Sequence, residues 1–262
     1  MTDLTASDSS GTQPKSATDF SAAPWPTIRK VLEVLGWLAV AMLVFTGLSA
    51  ILGRSIFLSD ALALAPLNPE EAFDPFEIRY YTHALATILH LGPGFFVMVL
   101  GPLQFMRPLR KHYLHIHRWT GRAFILCAAI GACSGIFIGV FYPFAGVGGQ
   151  GFNEAMSVAF FSPYILFCLF MAYSRIRKRM FGQHREWMIR AFALLLAIAT
   201  ERLMLTFLQI TTNIDIAVLF GTTFWMAIAT NMAMSEMWIA LTRTPGNGAQ
   251  HWKDVDARAK AG

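Results

Sequence analysis

Residues 123–145 read AFILCAAIGACSGIFIGVFYPFA, without one charged side chain. A helix needs about 20 mainly apolar residues to cross the hydrocarbon core of a bilayer, and this stretch supplies them. A barrel strand would instead alternate apolar and polar residues over about 10 positions. Inside lipid an unbroken apolar run keeps its backbone hydrogen-bonded only as a helix. Working outward, five more stretches qualify: 34–52, 84–106, 155–174, 191–210 and 216–235. The second holds His90 and the fifth holds Glu201 and Arg202. The whole chain has 262 residues, 55% hydrophobic and 14% charged, with a mean hydropathy of +0.48, a balance that calls for lipid as solvent. The sequence therefore predicts an all-α polytopic membrane bundle of six transmembrane helices, with helices 2–5 as a four-helix core.

The ends differ from the middle. Residues 1–24 are rich in Ser, Thr, Ala and Asp, with no apolar run and no basic segment of the secretory kind, and are expected to form a disordered cytoplasmic tail. Residues 25–242 make the transmembrane domain and 243–262 a polar cytoplasmic tail. Cys127, Cys133 and Cys168 all fall in apolar stretches and read as small packing residues.

Charge sets the expected orientation. Arg107, Arg110, Lys111, Arg118 and Arg122 lie between or just inside helices 2 and 3; Arg175, Arg177, Lys178, Arg179, Arg185 and Arg190 lie between helices 4 and 5. Lys15, Arg29 and Lys30 precede helix 1, and Arg243, Lys253, Arg258 and Lys260 follow helix 6. Only Arg54 and Arg79 belong to the other side, among Asp60, Glu70, Glu71, Asp74 and Glu77. The positive-inside rule makes the crowded side, and so both termini, cytoplasmic. Anionic lipid headgroups then suffice as partners for the net charge of +5, and no nucleic acid is needed.

The two basic loops resemble each other. Arg110-Lys111 is followed by His117-Arg118, and Arg177-Lys178 by His184-Arg185, each His-Arg leading into a Trp, an Arg and a membrane helix. Either a duplicated hairpin or the shared bias toward basic loops produces such a match. Gly131, Gly135 and Gly139 on helix 3 form overlapping GxxxG units, and helix 2 carries Gly92, Gly94 and Gly101 with Pro93 and Pro102. Helices 2 and 3 are expected to pack closely.

Polar groups at membrane depth are costly and tend to face the bundle interior. Counting inward from helix ends gives two tiers: an outer one of His90, Glu201 and Arg202, and an inner one of Gln104, His117 and His184. Asn231 and Glu236 of helix 6 fall near the inner level. Both tiers can equally be structural contacts. Glu186 and Arg190, one helical turn apart, read as a solvated ion pair. His112, His115 and His117 lack a carboxylate or thiol partner, so no dedicated metal site is expected.

An ordered series of motifs now stands out: His90, then Gly101-Pro102-Leu103-Gln104-Phe105, His117-Arg118-Trp119-Thr120-Gly121-Arg122, His184-Arg185-Glu186-Trp187-Met188-Ile189-Arg190, and Arg202. Over roughly 80–210 it resembles the bacterial membrane proteins catalogued as domain of unknown function twenty-three-oh-six. The resemblance implies a multi-pass protein of the bacterial inner membrane. In architecture the chain is also similar to the b561-type cytochromes, in which core helices 2 to 5 hold haem between paired histidines. That similarity implies one haem b at most, on His117 and His184, because helix 4 has no histidine to complete a second pair.

Three functions stay open. The first is a redox protein binding one b-type haem, or a quinone, between helices 3 and 5, its iron held by His117 and His184. Arg122 or Arg190 would pair with propionates, and Gly121 would leave room for a flat ring near Gln104. The second is a proton-coupled transporter using His90, Glu201 and Arg202 as a relay. The third is a scaffold or sensor whose polar groups are structural. Soluble enzyme classes lack support, since no Walker loop, dinucleotide fingerprint, HExxH or GxSxG occurs.

Overall fold

The computed structural model describes residues 25–74, 76–144, 149 and 151–242. The expected tails, 1–24 and 243–262, lie outside the described residues, as does most of the glycine-rich loop before residue 151. By contacts the chain divides into two units, Met1–Ala39 and Val40–Gly262. The described part of the first is the opening of helix α1 (Trp25–Leu64), with Val31, Val34, Leu35 and Leu38 exposed.

In the second unit α1 continues to Leu64, where Ala65 turns into the left-handed region (φ 41°) and Pro66 prevents further helix. Two short helices follow, α2 (Pro69–Ala72) and α3 (Ile78–Thr82). The long helices are then α4 (Ala84–Phe105), α6 (Leu114–Ile136), α7 (Gly151–Arg177) and α10 (Ile216–Thr242). A short α5 (Arg107–His112) joins α4 to α6, and a π-helical segment, Phe137–Phe141, extends α6. The fifth span is two helices, α8 (Phe181–Leu195) and α9 (Ala197–Thr211), meeting at Leu196. Among the described residues six spans are thus long and apolar enough to cross a membrane.

Large apolar side chains cover the outside. Phe45, Leu126, Phe160, Phe170 and Phe207 each expose more than three-fifths of their surface, an arrangement suited to lipid rather than water. The core is made by Val97 and Met98 of α4, Phe124 and Ala128 of α6, Cys168, Leu169 and Ala172 of α7, and Met188, Ala191 and Phe192 of α8. Helices 2–5 supply it as expected. The sixth enters it too, through Ala227 and Ile228, where the sequence places that helix as a flank. The reason is physical: a lipid-facing helix and a buried one are equally apolar, so hydropathy cannot separate them. The distinguishing trace is the recurrence of Gly221, Thr223, Ala227, Asn231 and Ser235 on one buried face.

Small residues set the closest approaches. A Cβ on Gly101 would lie 2.1 Å from the Phe192 ring, and one on Gly139 would lie 2.8 Å from Val158. The missing Cβ of Gly135 seats the His90 imidazole, and the Ser134 hydroxyl lies 3.2 Å from the Leu89 carbonyl, so helices 2 and 3 pack tightly. At the Leu196 break, Asn231 of α10 donates its amide to the Ala193 carbonyl (2.8 Å) and accepts from Thr200 (3.0 Å). A neighbouring helix thereby satisfies polar backbone that an interrupted span frees within the membrane.

Candidate functional site

Most buried polar groups have found partners, so the ones left over mark where chemistry can occur. One such place is the end of the bundle that carries the basic loops. His117 and His184 occupy the same register in two helix starts. Each is the fourth residue of its helix, and its backbone N–H donates to the residue before that helix, Tyr113 for His117 and Met180 for His184. The repeated motifs therefore build equivalent local structures on α6 and α8.

The two imidazoles lie within electrostatic reach of each other, and Arg110 lies within reach of both. Burial first, then Arg107 beside it, lowers the Arg110 guanidinium below its ordinary value. The ring Nδ1 of His184 is 2.9 Å from the Ala172 carbonyl. A carbonyl only accepts, so Nδ1 carries the proton and Nε2 keeps a free lone pair. By contrast, Nδ1 of His117 is buried with no hydrogen-bond partner. An unpaired buried group of this kind costs about 1–3 kcal/mol.

Three expectations at this end need correction. Gly121 does not leave room for a flat ring, because the Gln104 carboxamide fills its space, with Oε1 3.0 Å from where a Cβ would stand. Gln104 is itself buried and donates to Thr120 at 2.9 Å. Arg190 is not free for a propionate: both oxygens of Glu236 on α10 accept from its guanidinium, and it stacks 4.7 Å from the Trp187 ring centre. Glu186 is buried rather than solvated, and lies within electrostatic reach of Arg190. Arg122 is exposed and lies over Trp119. His115 accepts from the Trp119 indole at 2.9 Å.

At the opposite end the expected tier divides. His90 is 2.9 Å from the Gly131 carbonyl and 3.4 Å from the Ser134 hydroxyl, both on α6. Glu201 is fully buried on α9, its Oε1 3.3 Å from the Thr223 hydroxyl of α10 and its Oε2 without a hydrogen bond. No hydrogen bond or ion pair joins His90 to Glu201 or Arg202 among the described residues.

Glu201 and Arg202 belong instead to a cluster that the sequence reading does not assemble. Arg79 of α3 is buried and donates to Glu154 of α7 at 2.9 Å and to Tyr80 at 3.0 Å; the Phe144 N–H donates to the other Glu154 oxygen at 2.7 Å. Burial alone would lower the Arg79 guanidinium, but Tyr80 and Glu154 outweigh it and raise the group above its ordinary value. Arg54, Arg79 and Arg202 all approach the Phe76 ring, at 5.1, 5.2 and 5.8 Å from its centre. One signal pointed there: Arg54 and Arg79 are the two basic residues outside the crowded side, so something other than the positive-inside bias keeps them.

Comparison with known proteins gives one family. Its model, described as Predicted membrane protein (DUF2306), matches residues 87–239, more than half of the chain and all the helices around both ends of the site except α1 and α3. No curated protein and no solved structure matches.

Proposed function

The chain belongs to the DUF2306 family of predicted membrane proteins, and from that premise we propose that it is a membrane redox protein holding one b-type haem between His117 and His184. The observation that carries this reading is the buried, unpartnered Nδ1 of His117 in reach of a second imidazole whose Nε2 lone pair is free. Neutral imidazoles bind iron, and a ring hydrogen-bonded to a carbonyl through its other nitrogen is the usual way such a ligand is oriented. Bound haem would supply one-electron transfer.

His184 is held for that role by Ala172, while Arg110 rather than Arg190 lies within electrostatic reach of both histidines. Gln104, through Thr120, braces α4 against the start of α6 on which His117 stands. A quinone is a second occupant of the same site: in its reduced, quinol form a hydroxyl would donate to the His184 Nε2 lone pair that iron would otherwise take. We place this end, and both termini, on the cytoplasmic side of a bacterial inner membrane, where the electron partner and the anionic headgroups would meet the basic loops.

Visible spectra of the purified protein, oxidised and dithionite-reduced, test the haem. A Soret band lost in His117→Ala and in His184→Ala, with both variants still folded by circular dichroism and size exclusion, is expected. Colourless folded protein from haem-replete cells defeats haem ligation. The scaffold or sensor reading is favoured by a different observation, the pairing of Arg79 with Glu154 and Arg190 with Glu236, which staple separate helices.

A further inference from the structure

The end of the bundle away from His117 holds two arginines with unused donors. Arg54 comes from α1 and Arg202 from α9, and each lies within electrostatic reach of the other's site through the Phe76 cluster. Arg54 approaches Glu77 and Arg202 approaches Glu201 only to 3.5 Å, and neither guanidinium makes a hydrogen bond to any described residue. In Arg54 one terminal nitrogen is wholly buried in that state. Arg79 is different: both its terminal nitrogens donate, to Glu154, Tyr80 and the Tyr142 carbonyl, and only its buried Nε lacks a hydrogen bond.

Local geometry explains why Glu201 meets Arg202 only as an ion pair at 3.5 Å, without a hydrogen bond. Adjacent residues on a helix point to different faces, so Glu201 turns into the core toward Thr223 while Arg202 turns toward Phe76 and Phe220. Glu77 is a third exposed and holds Arg54 from the solvent side. The rings of Phe57, Phe76, Tyr80 and Phe220 lie 4.3 to 5.8 Å from one or the other guanidinium. Aromatic faces favour the cations but accept none of their N–H groups in the plane of the fork. What the site lacks is an acceptor with several oxygens, charged negatively, able to bridge two forks on separate helices.

We propose that Arg54 and Arg202 bind a phosphate group here. Arginine forks match phosphate oxygens in pairs, and burial among rings strengthens each charge-assisted bond. The span ends on either side, at Leu64 and Ala84, put the site near one membrane boundary, where a lipid headgroup or free phosphate from the aqueous side can reach it.

Modification of the wild-type protein in detergent by phenylglyoxal, read residue by residue by mass spectrometry, tests this without relying on a variant that folds. Inorganic phosphate at tenfold its Kd is expected to slow labelling of Arg54 and Arg202 about tenfold by mass action, while Arg118 and Arg177 at the basic end label at unchanged rates. Protection by phosphatidylglycerol and not by inorganic phosphate assigns the group to a lipid headgroup; protection by both assigns the site to phosphate in general. Equal labelling of Arg54 and Arg202 with and without either compound overturns the proposal. Arg202→Lys, which keeps the charge and loses the fork, is expected to weaken protection at Arg54. Unchanged protection there also counts against a bridged site.

Discussion

At the scale of single residues, space and backbone conformation decide more than polarity does. Gly101 faces the Phe192 ring so closely that Gly101→Ala must displace that ring or the helix that carries it, an overpacking that costs about 1–3 kcal/mol. Gly92 on the same helix has open space around it, so Gly92→Ala is expected to be neutral or to stabilise by up to about 1 kcal/mol. Melting curves in one detergent compare them; equal midpoints would show that the Phe192 contact does not limit residue size at Gly101. The sequence marks both glycines alike, because the partner ring lies on another helix and leaves no trace nearby. Arg179 hides in the same way. It sits in the left-handed region (φ 58°) after α7, with Met180 N–H donating to the Arg175 carbonyl, the bond that closes a helix end. Glycine usually signals that position and arginine does not. Arg179→Gly should relieve roughly 1 kcal/mol of backbone strain, seen as a higher melting midpoint. Arg79 and Glu154 offer the opposite test: because the Arg79 guanidinium is raised, it stays charged at every physiological pH. Removing Glu154 alone strands a buried charge, at a cost of about 3–5 kcal/mol. Replacing both residues by Met is expected to cost much less, and a double-mutant cycle measures the difference.

At the scale of elements, the six apolar runs are legible and their limits are not. The run 34–52 becomes a helix that continues to Leu64, because Arg54 and Asp60 end the apolar pattern without ending helical hydrogen bonding. The fifth span holds the larger departure. It reads as one helix from 191 to 210, yet it begins at Phe181 and is interrupted at Leu196. No glycine or proline stands there, so local sequence gives no warning. The compensating residue is Asn231, which lies on another helix and carries the Ala193 and Thr200 hydrogen bonds. Asn231→Leu keeps the volume and removes both, and interhelical bonds in membranes average about 0.6 kcal/mol each and reach about 1.7. A loss of that order in stability is expected, together with faster amide exchange at residues 193–200. Unaltered exchange would mean that the break is held by packing alone. The shared register of His117 and His184, in contrast, is legible, since the repeated Arg-Lys and His-Arg spacing puts each at the fourth residue of its helix.

At the scale of the molecule, charge and burial divide the chain into two ends of different make-up. One end gathers the basic loops with His117, His184 and Arg110; the other holds three arginines matched in part by Glu77, Glu154 and Glu201. Antiparallel spans force the loops at 105–114 and 177–181 to the same end and the segment 65–83 to the opposite one. This arrangement is fixed by connectivity, while the side each end faces depends on the positive-inside bias. Single cysteines separate the two statements. With Cys127, Cys133 and Cys168 replaced by Ala, cysteines at Lys111 and Lys178, both exposed, should react together with a membrane-impermeant maleimide, and one at Glu70, also exposed, should react from the other face. In intact cells Glu70→Cys alone is expected to label, and the other two only after the membrane is opened. Labelling of Lys111→Cys and Lys178→Cys from opposite faces would contradict the bundle itself. Labelling of both from outside would reverse the orientation and leave the histidine pair facing the wrong compartment for a cytoplasmic electron partner.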